Sequence, residues 1–255
     1  MDQGTLYIEV NAGLCNRLRA MVSGICWAER LRRKLCVCWP SWKPECGATF
    51  SNLFDGRQFP DWIDIIDTTL TDKQQCLSPA DAAVIFNTKK SSIYIQSHGC
   101  FWSRKDTADN EQWLYWLRQL QPSQQVVHVL SSWTKCLSPD SVTVHVRRTD
   151  NQKAIRLSPM NRFLLRLDQF PPQYFILVFS DDIEAVDDIR RVFGFRVLSP
   201  ETVRKRNTLD GMVEAAAVFF AIARSKHVIG SANSSFSEIA CDYGNLTLEI
   251  VSQGL

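Results

Sequence analysis

The stretch "VTVHVRRTD", residues 142–150, carries the pattern that decides the fold. Val142, Val144 and Val146 alternate with other residues, which is typical of a β-strand. Two arginines and an aspartate follow directly, so the strand ends in a charged tip. One interpretation is that the strand simply emerges into water there. The other is that its tip binds a phosphorylated ligand.

The same arrangement recurs along the second half of the chain. The strands "YFILVFS" and "HVIGS" also run into polar residues that lead to helices. Parallel strands of a doubly wound sheet end at one edge, where such sheets bind ligands. The clusters "HVRRTD", "FSDD" and "GSANSSFS" are therefore predicted to form one site.

The first half alternates as well, with predicted strands "TLYIEV", "KLCVCW", "WIDIID" and "SSIYIQSH". A helix is predicted from about Arg17, and helical material over residues 106–135. The Pro/Ser break "KCLSPDS" predicts a domain boundary. We therefore expect an α/β protein with domains at residues 1–135 and 136–255.

The composition describes a globular protein of 255 residues, 45% hydrophobic, with a net charge of +2. This charge does not favour nucleic acid as a partner, and no run approaches the ~18 apolar residues of a membrane span. The start of the chain lacks the features of a signal peptide. We expect a cytoplasmic protein, or a soluble domain cut from a longer polypeptide.

The nine cysteines are predicted to be unpaired, buried thiols. No C-x-x-C pair occurs, and the four histidines are scattered along the chain. These spacings disfavour a structural zinc site, and we expect no metal.

The turn "GSANSSFSEIA" joins a predicted strand to a predicted helix through a glycine and several serines. Unpaired amides and the dipole at such a helix start favour a phosphate group. The competing interpretation is a plain N-terminal cap, in which Glu238 completes a capping box with Ser235. The two interpretations are compatible, because a cap leaves some amides available.

The segment "GLCNRLRA", residues 13–20, is a second strand–loop–helix turn. It has neither the dinucleotide-binding G-x-G-x-x-G spacing nor the G-K-[ST] of a P-loop. Its arginine in the first helical turn, Arg17, is either solvated or in contact with a ligand.

Arg147 and Arg148 follow strand residues, so their side chains are predicted to leave on opposite faces. One then points to a ligand while the other anchors the structure. A guanidinium fork suits the oxygens of a diphosphate. His145 lies on the same face as Arg147, and Asp150 either orients an arginine or acts on the substrate.

Three of these segments resemble motifs of one superfamily. "HVRRTD" is similar to the H-x-R-R-x-D motif of the α1,6-fucosyltransferases, which are related to the protein O-fucosyltransferases. "GLCNRLRA" resembles the N-terminal G-x-x-N-R-L/Q-R loop of that superfamily, and "ARSKHVIGSANSSFSEIA" resembles its third motif. The three occur in the family order, while residues 40–135 are unmatched.

The resemblance implies a GT-B-like fold, in which two Rossmann-like halves face a central cleft. The half at residues 136–255 would bind GDP-fucose, and the half at residues 1–135 would supply most of the acceptor surface. The implied reaction is an inverting transfer of fucose to a hydroxyl of a glycan or other acceptor, without a metal or other cofactor.

The resemblance also implies roles for single residues. Arg147 matches the arginine that holds the β-phosphate and stabilises charge on the leaving GDP, and His145 matches a histidine that contacts the donor. The other matched positions belong to the phosphate-contacting turn and to the loop that closes over the donor: Ser234, Ser235 and Phe236, then Asn16 and Arg17.

Two positions depart from the family pattern. The helix before the third motif reads "AAAVFF" where an aspartate is common, and the nearest acids are Asp210 and Glu214. Ile155 stands where the core-fucosylating enzymes have a glutamate, so no general base is transferred from them. Asp150 is our candidate base, because no other carboxylate belongs to a motif.

Asp181, Asp182 and Arg148 complete the predicted donor contacts, the aspartates toward ribose or base. Two other functions stay open from the sequence: a transferase of another GDP- or UDP-sugar, and a binding module for nucleotide sugars or glycans without turnover. In the first half, Trp39 and Trp42 either stack on acceptor sugars or pack in the core.

Overall fold

Apolar strands that alternate with helices build two parallel sheets of five strands each. Parallel neighbours need crossover connections, which helices supply here. The structure is a computed structural model, and it describes residues 4–88, 90–134, 137–201 and 204–252. The α/β class with two Rossmann-like sheets, predicted above, is confirmed.

The first sheet has the strand order β3-β2-β1-β5-β4, with β1 at its centre. Its strands are β1 (Thr5–Val10), β2 (Lys34–Cys38), β3 (Ile63–Ile66), β4 (Gln74–Gln75) and β5 (Ser92–Ser97). The helices of this part of the chain are α1 (Leu14–Arg30), α2 (Phe50–Leu53), α3 (Pro79–Ile85), α4 (Thr107–Arg118) and α5 (Gln124–Thr134). The short elements β4, α2 and α3 were not predicted, because they lack a long apolar period.

Helix α1 begins at Leu14, three positions before its predicted start. Gly13 is the N-cap, with an extended backbone at φ −72° and ψ 172°. The apolar side chains that recur at helical spacing are fully buried: Leu18, Met21, Val22, Ile25 and Ala28. Gly24 lets the helix pack closely on β1, since a Cβ there would lie 1.9 Å from Cδ1 of Ile8.

The second sheet has the strand order β10-β9-β6-β7-β8. Its strands are β6 (Ser141–Val146), β7 (Phe175–Ser180), β8 (Val197–Leu198), β9 (Val228–Ser231) and β10 (Leu248–Val251). The helices are α6 (Gln152–Leu157), α7 (Met160–Leu167), α8 (Ile183–Phe193), α9 (Leu209–Ala223) and α10 (Ser235–Gly244). Helices α6 and α7 are separate, because Pro159 disfavours helical backbone in the residue before it.

Strand β6 lies between β7 and β9, and all six of its residues are buried. Val142, Val144 and Val146 pack in the core of this unit against Phe163 and Ile189. A central strand buried on both faces is held firmly. Residue 147, which follows it, therefore starts from a fixed position.

The chain divides into two compact units, Met1–Val126 with Lys205–Ala216 and Val127–Arg204 with Ala217–Leu255. The first boundary between the two units lies within α5 rather than at residue 135. The reason is that the end of this helix packs on the second sheet. The ring of Trp133 lies 5.2 Å from that of Phe179 on β7.

The return of the chain to the first unit was not predicted. The amide of Gly47 donates to the carbonyl of Arg206 over 2.9 Å, a contact within the first unit. Lys135 and Cys136, at the predicted boundary, lie outside the described residues.

None of the cysteines in the described part of the chain forms a disulfide bond, and seven of these eight are buried. This agrees with the predicted unpaired thiols. Burial raises the pKa of Cys241 to about 12, which keeps this thiol protonated and unreactive.

Candidate functional site

The three polar clusters of the second half meet at one edge of the second sheet. Strands β9, β6 and β7 are adjacent and parallel, so their carboxyl ends lie side by side. Arg147 follows β6, Asp181 follows β7 and Ser231 ends β9. The predicted convergence of the clusters is therefore confirmed by the topology.

Arg147 is held from both neighbouring strands. Its Nη1 lies 2.8 Å from Oδ2 of Asp181, and its Nη2 contacts Oδ1 of Asp150. Its backbone amide donates to Oγ of Ser231 over 2.9 Å. The side chain is 19% exposed, so the guanidinium is largely enclosed while it can still be reached from solvent.

Asp181 fixes the turn that carries Arg147. Its carboxylate accepts from the amide of Arg148 at 2.7 Å and from Oγ1 of Thr149 at 2.6 Å, besides its ion pair with Arg147. A carboxylate with several donors of this kind is a strong anchor. Its contacts bind it to the loop after β6.

Asp182 has a different structural role from Asp181. Its carboxylate accepts from the amide of Glu184 at 3.0 Å and so caps the start of α8. An aspartate at this position accepts a hydrogen bond from a helix amide, and its negative charge interacts favourably with the positive end of the helix dipole. Its predicted contact with ribose or base stays a prediction.

The backbone amide of Arg148 donates to Asp181, whereas its side chain turns to the body of the unit. Its Nη2 donates to the carbonyl of Ser158 over 2.7 Å, and its guanidinium lies 5.8 Å from the ring centre of Phe163. Burial lowers the pKa of its side chain. Nε and Nη1 are buried and have no hydrogen-bond partner among the described residues. Its packing is that of an anchor, and its predicted donor contact stays a prediction.

The serine-rich turn leads into α10 without a side-chain cap. Ser234 is the N-cap residue, and its side chain makes no capping hydrogen bond. Its Oγ instead lies 3.5 Å from Nδ1 of His145. The side chain of Asn151 donates to the carbonyl of Asn233 at 2.9 Å and steadies the turn. Helix α10 thus begins at Ser235, so Ser235 is not the N-cap residue that the predicted capping box requires.

His145 and Phe236 form a stacked pair beside this helix start. Their ring centres are 4.9 Å apart and the planes differ by 21°. Burial lowers the pKa of His145 to about 4, more than Asp181 raises it. The imidazole is therefore neutral near pH 7, and it can accept or donate a hydrogen bond without adding charge.

Ser158 supports the site and was missed in the sequence. It is fully buried, accepts from the amide of Ala232 at 2.8 Å and donates to the carbonyl of Val251. It also supplies the carbonyl that binds Arg148. The only local signal was a serine before a proline, which predicts a turn rather than a support for one.

In the first unit, Arg17 is fully buried and not solvated. Its Nε donates to the carbonyl of Ala12 at 2.8 Å and its Nη1 to that of Pro40 at 2.9 Å. Burial lowers the pKa of its guanidinium, which lies 5.2 Å from the ring centre of Trp39. This arginine joins the turn after β1 to the loop after β2.

Asn16 lies partly exposed in the first turn of α1. Arg206, which the sequence did not indicate, approaches this turn. Its Nη1 lies 3.6 Å from the position that a Cβ of Gly13 would take. Both residues belong to the first unit. The donor contacts predicted for Asn16 and Arg17 stay predictions.

In residues 4–88, 90–134, 137–201 and 204–252, no group of three His, Cys, Asp or Glu side chains is arranged to hold a metal ion. No helix in these ranges is long and apolar enough to cross a membrane.

No protein-family model and no curated protein matches the sequence. Solved structures do. NodZ, an α1,6-fucosyltransferase co-crystallised with GDP, superposes with a TM-score of 0.66 at 15% identity, over 94% of this chain and 92% of NodZ. NodZ from Bradyrhizobium in selenomethionine form gives a TM-score of 0.69 at 13% identity, over 100% and 96%.

A third similar structure is POFUT1 in complex with GDP. It gives a TM-score of 0.67 at 10% identity and covers 98% of this chain and 99% of that one. Identities this low concern the fold alone. They confirm the predicted fold class: a mixed α/β, GT-B-like fold with two parallel sheets of five strands each.

Proposed function

We propose that the protein is a glycosyltransferase that moves fucose from GDP-fucose to a hydroxyl of a glycan or other acceptor. The observation that carries the proposal is the position of Arg147, at the carboxyl edge of a doubly wound sheet. Phosphates bind at such edges and at helix N-termini. Helix α10 begins at the same edge without a side-chain cap.

The comparisons support the choice of donor. NodZ and POFUT1, which share the fold, were each solved with GDP. The H-x-R-R-x-D resemblance of residues 145–150 points to the same class of enzyme. A transferase of another nucleotide sugar would use the same diphosphate contacts, so the assay below includes other donors.

The proposed reaction is a single displacement. The acceptor hydroxyl oxygen bonds to the anomeric carbon on the face opposite the diphosphate, and the bond from that carbon to the β-phosphate oxygen breaks. The configuration inverts, the electron pair leaves with GDP, and the hydroxyl proton passes to a base. Negative charge grows on the diphosphate, and stabilising such charge is usually the largest catalytic contribution.

Arg147 is proposed to bind the β-phosphate. Its guanidinium already pairs with two carboxylates, and a phosphate oxygen would replace the more exposed one, Asp150, which is 54% exposed against 17% for Asp181. The amides of Ser235 and Phe236 at the start of α10 would add the helix dipole. These groups supply positive potential of the kind a divalent cation provides elsewhere, so we propose a metal-independent reaction.

The other residues of the site are proposed to support this contact. Asp181 holds the Arg147 guanidinium, and the neutral ring of His145, stacked on Phe236, contacts the donor near the sugar. Asp150 is proposed as the general base, because it is the most exposed carboxylate in contact with Arg147. Ser234, which faces His145, completes the turn beside the phosphates.

The test replaces Arg147 with alanine and measures GDP or UDP release from a panel of GDP- and UDP-sugars with a glycan acceptor mixture. We expect a loss of about 100- to 1,000-fold in turnover of GDP-fucose, the usual cost of one such donor. Arg191→Ala is the matched control, since Arg191 also pairs with an aspartate three residues away but lies on the exposed side of α8.

The outcomes separate the functions. Wild-type turnover by Arg147→Ala would reject the assignment of this residue. Turnover of a different donor would keep the transferase and change its sugar. Tight binding of a nucleotide sugar with no turnover in any combination would instead identify a binding module.

A further inference from the structure

Two tryptophans three residues apart in the first unit have opposite surroundings. Trp39 is fully buried, donates from Nε1 to the carbonyl of Ala48 at 3.1 Å and packs edge-on against Phe50. Trp42 is 58% exposed. The two interpretations of this segment thus divide between the residues: Trp39 belongs to the core, and Trp42 stands at the surface.

Trp42 lies on the loop after β2, at the carboxyl end of the first sheet, and the residues before it are firmly fixed. The fully buried Arg17 donates to the carbonyl of Pro40 at 2.9 Å. The amide and hydroxyl of Ser41 donate to the two carboxylate oxygens of Asp67 at 2.8 and 2.6 Å. This support is costly, because Nη2 of Arg17 is buried with no partner among the described residues.

The residues after Trp42 are fixed as well. Lys43 and Cys46 form an isolated antiparallel bridge, and the amide of Cys46 donates to the carbonyl of Lys43 at 3.0 Å. A large exposed side chain on a mobile loop would leave the backbone of that loop its conformational entropy. An exposed indole on a loop anchored from both sides has lost its backbone freedom before any ligand arrives.

We propose that Trp42 is a stacking platform for a pyranose ring of a carbohydrate acceptor. The indole face contacts the apolar C–H face of the ring, and the exposed carboxylate of Asp67, bound to the neighbouring Ser41, accepts hydrogen bonds from its hydroxyls. The acceptor role rests on the proposed function, whereas the binding of a sugar ring can be measured without it.

The chemistry around Trp42 favours a sugar over a protein partner. The centres of protein interfaces are depleted of charged residues. Here Lys43 and Glu45 follow Trp42 on the same loop, Asp67 binds Ser41 directly before it, and both acids are exposed. A flat ring among charged hydrogen-bonding groups suits a ligand that has both an apolar face and many hydroxyls.

The direct test titrates the whole protein with cellotetraose, chitotetraose and maltotetraose and follows the tryptophan indole NMR signals. Trp42→Phe assigns the Trp42 signal. We expect this signal to move with at least one sugar, and Trp42→Ala to weaken that binding about tenfold. Tyr115→Ala is the matched control, because Tyr115 is 57% exposed on α4 of the same unit, and it should bind as the wild type does.

The proposal would be overturned if the Trp42 indole signal did not shift with any of the three sugars, or if Trp42→Ala bound the sugar with the affinity of the wild type. A transfer assay separates it from the proposed function. With GDP-fucose and the sugar that binds, Trp42→Ala should raise the acceptor KM about tenfold and change kcat far less. An unchanged acceptor KM in an active enzyme refutes the platform alone, whereas a wild type that never consumes GDP-fucose refutes the proposed function while the titration still decides on Trp42.

Discussion

The substitution Asp181→Asn removes the ion pair that holds Arg147 and leaves the Arg147 side chain in place. Asparagine keeps the size of the side chain and one oxygen, which can still accept from the amide of Arg148. The other oxygen becomes an NH2 group. That group would face Nη1 of Arg147 and the hydroxyl of Thr149, two groups that now donate to Asp181. The arginine keeps its charge and loses its fixed direction.

The size of the effect follows from these contacts. A hydrogen bond to a charged group contributes about 1.5–3 kcal/mol, so the lost pairing with Arg147 should cost about 2 kcal/mol of transition-state stabilisation. At 1.36 kcal/mol per tenfold change in rate, turnover should fall about 30-fold. This is less than the loss expected from Arg147→Ala, because the guanidinium is still present.

The assay is the steady-state release of GDP from GDP-fucose at saturating donor and acceptor. Asp187→Asn is the matched control, since Asp187 also pairs with an arginine, Arg190, at 2.8 Å but lies on the exposed side of α8. It should be active and stable like the wild type. Wild-type turnover by Asp181→Asn, or an equal loss of activity in Asp187→Asn, would contradict this role of Asp181.

Two further predictions concern stability. Burial lowers the pKa of His145 to about 4 from an ordinary 6.5, so the unfolded chain takes up a proton in this range that the folded protein does not. The free energy of unfolding should therefore fall by about 3 kcal/mol as the pH drops from about 7 to 4. Urea denaturation of His145→Asn beside the wild type should show that the variant lacks this pH-dependent component. Equal pH dependence in the two proteins would contradict the prediction. Arg17→Met leaves the carbonyls of Ala12 and Pro40 without their donor and should cost about 2–4 kcal/mol of unfolding free energy, whereas a variant that is fully stable but inactive would mean that Arg17 contacts the ligand instead.

The architecture of the second unit could be predicted from local patterns. The valines of β6 mark a strand by their spacing alone, and the same holds for "YFILVFS" before Asp181. Parallel pairing then brings the strand ends to one edge by a general rule. The convergence of Arg147, Asp181 and the serine-rich turn needed no knowledge of any single contact.

The partners of individual side chains could not be predicted in this way. Arg17 binds a carbonyl 23 positions away, and Asp181 accepts from an amide 33 positions away. Periodicity describes which face of an element is buried but carries no information on such distant pairs. Arg17 was therefore expected to be either solvated or bound to a ligand. Its burial among carbonyls shows that the solvated interpretation was wrong, and the ligand contact stays a prediction.

The return of residues 205–216 to the first unit was hidden for a similar reason. Helix α9 has a continuous apolar pattern, and the division at Ala216 lies inside it. The amide of Gly47, far away in the sequence, is what holds the carbonyl of Arg206. A boundary of this kind leaves no local break in composition.

The most direct test of the central claim is a crystal structure of the protein with GDP. We expect a β-phosphate oxygen within hydrogen-bond distance of the Arg147 guanidinium and close to the first amides of α10, with Asp150 displaced and Asp181 in place. A diphosphate bound elsewhere, with Arg147 still paired to both carboxylates, would contradict it.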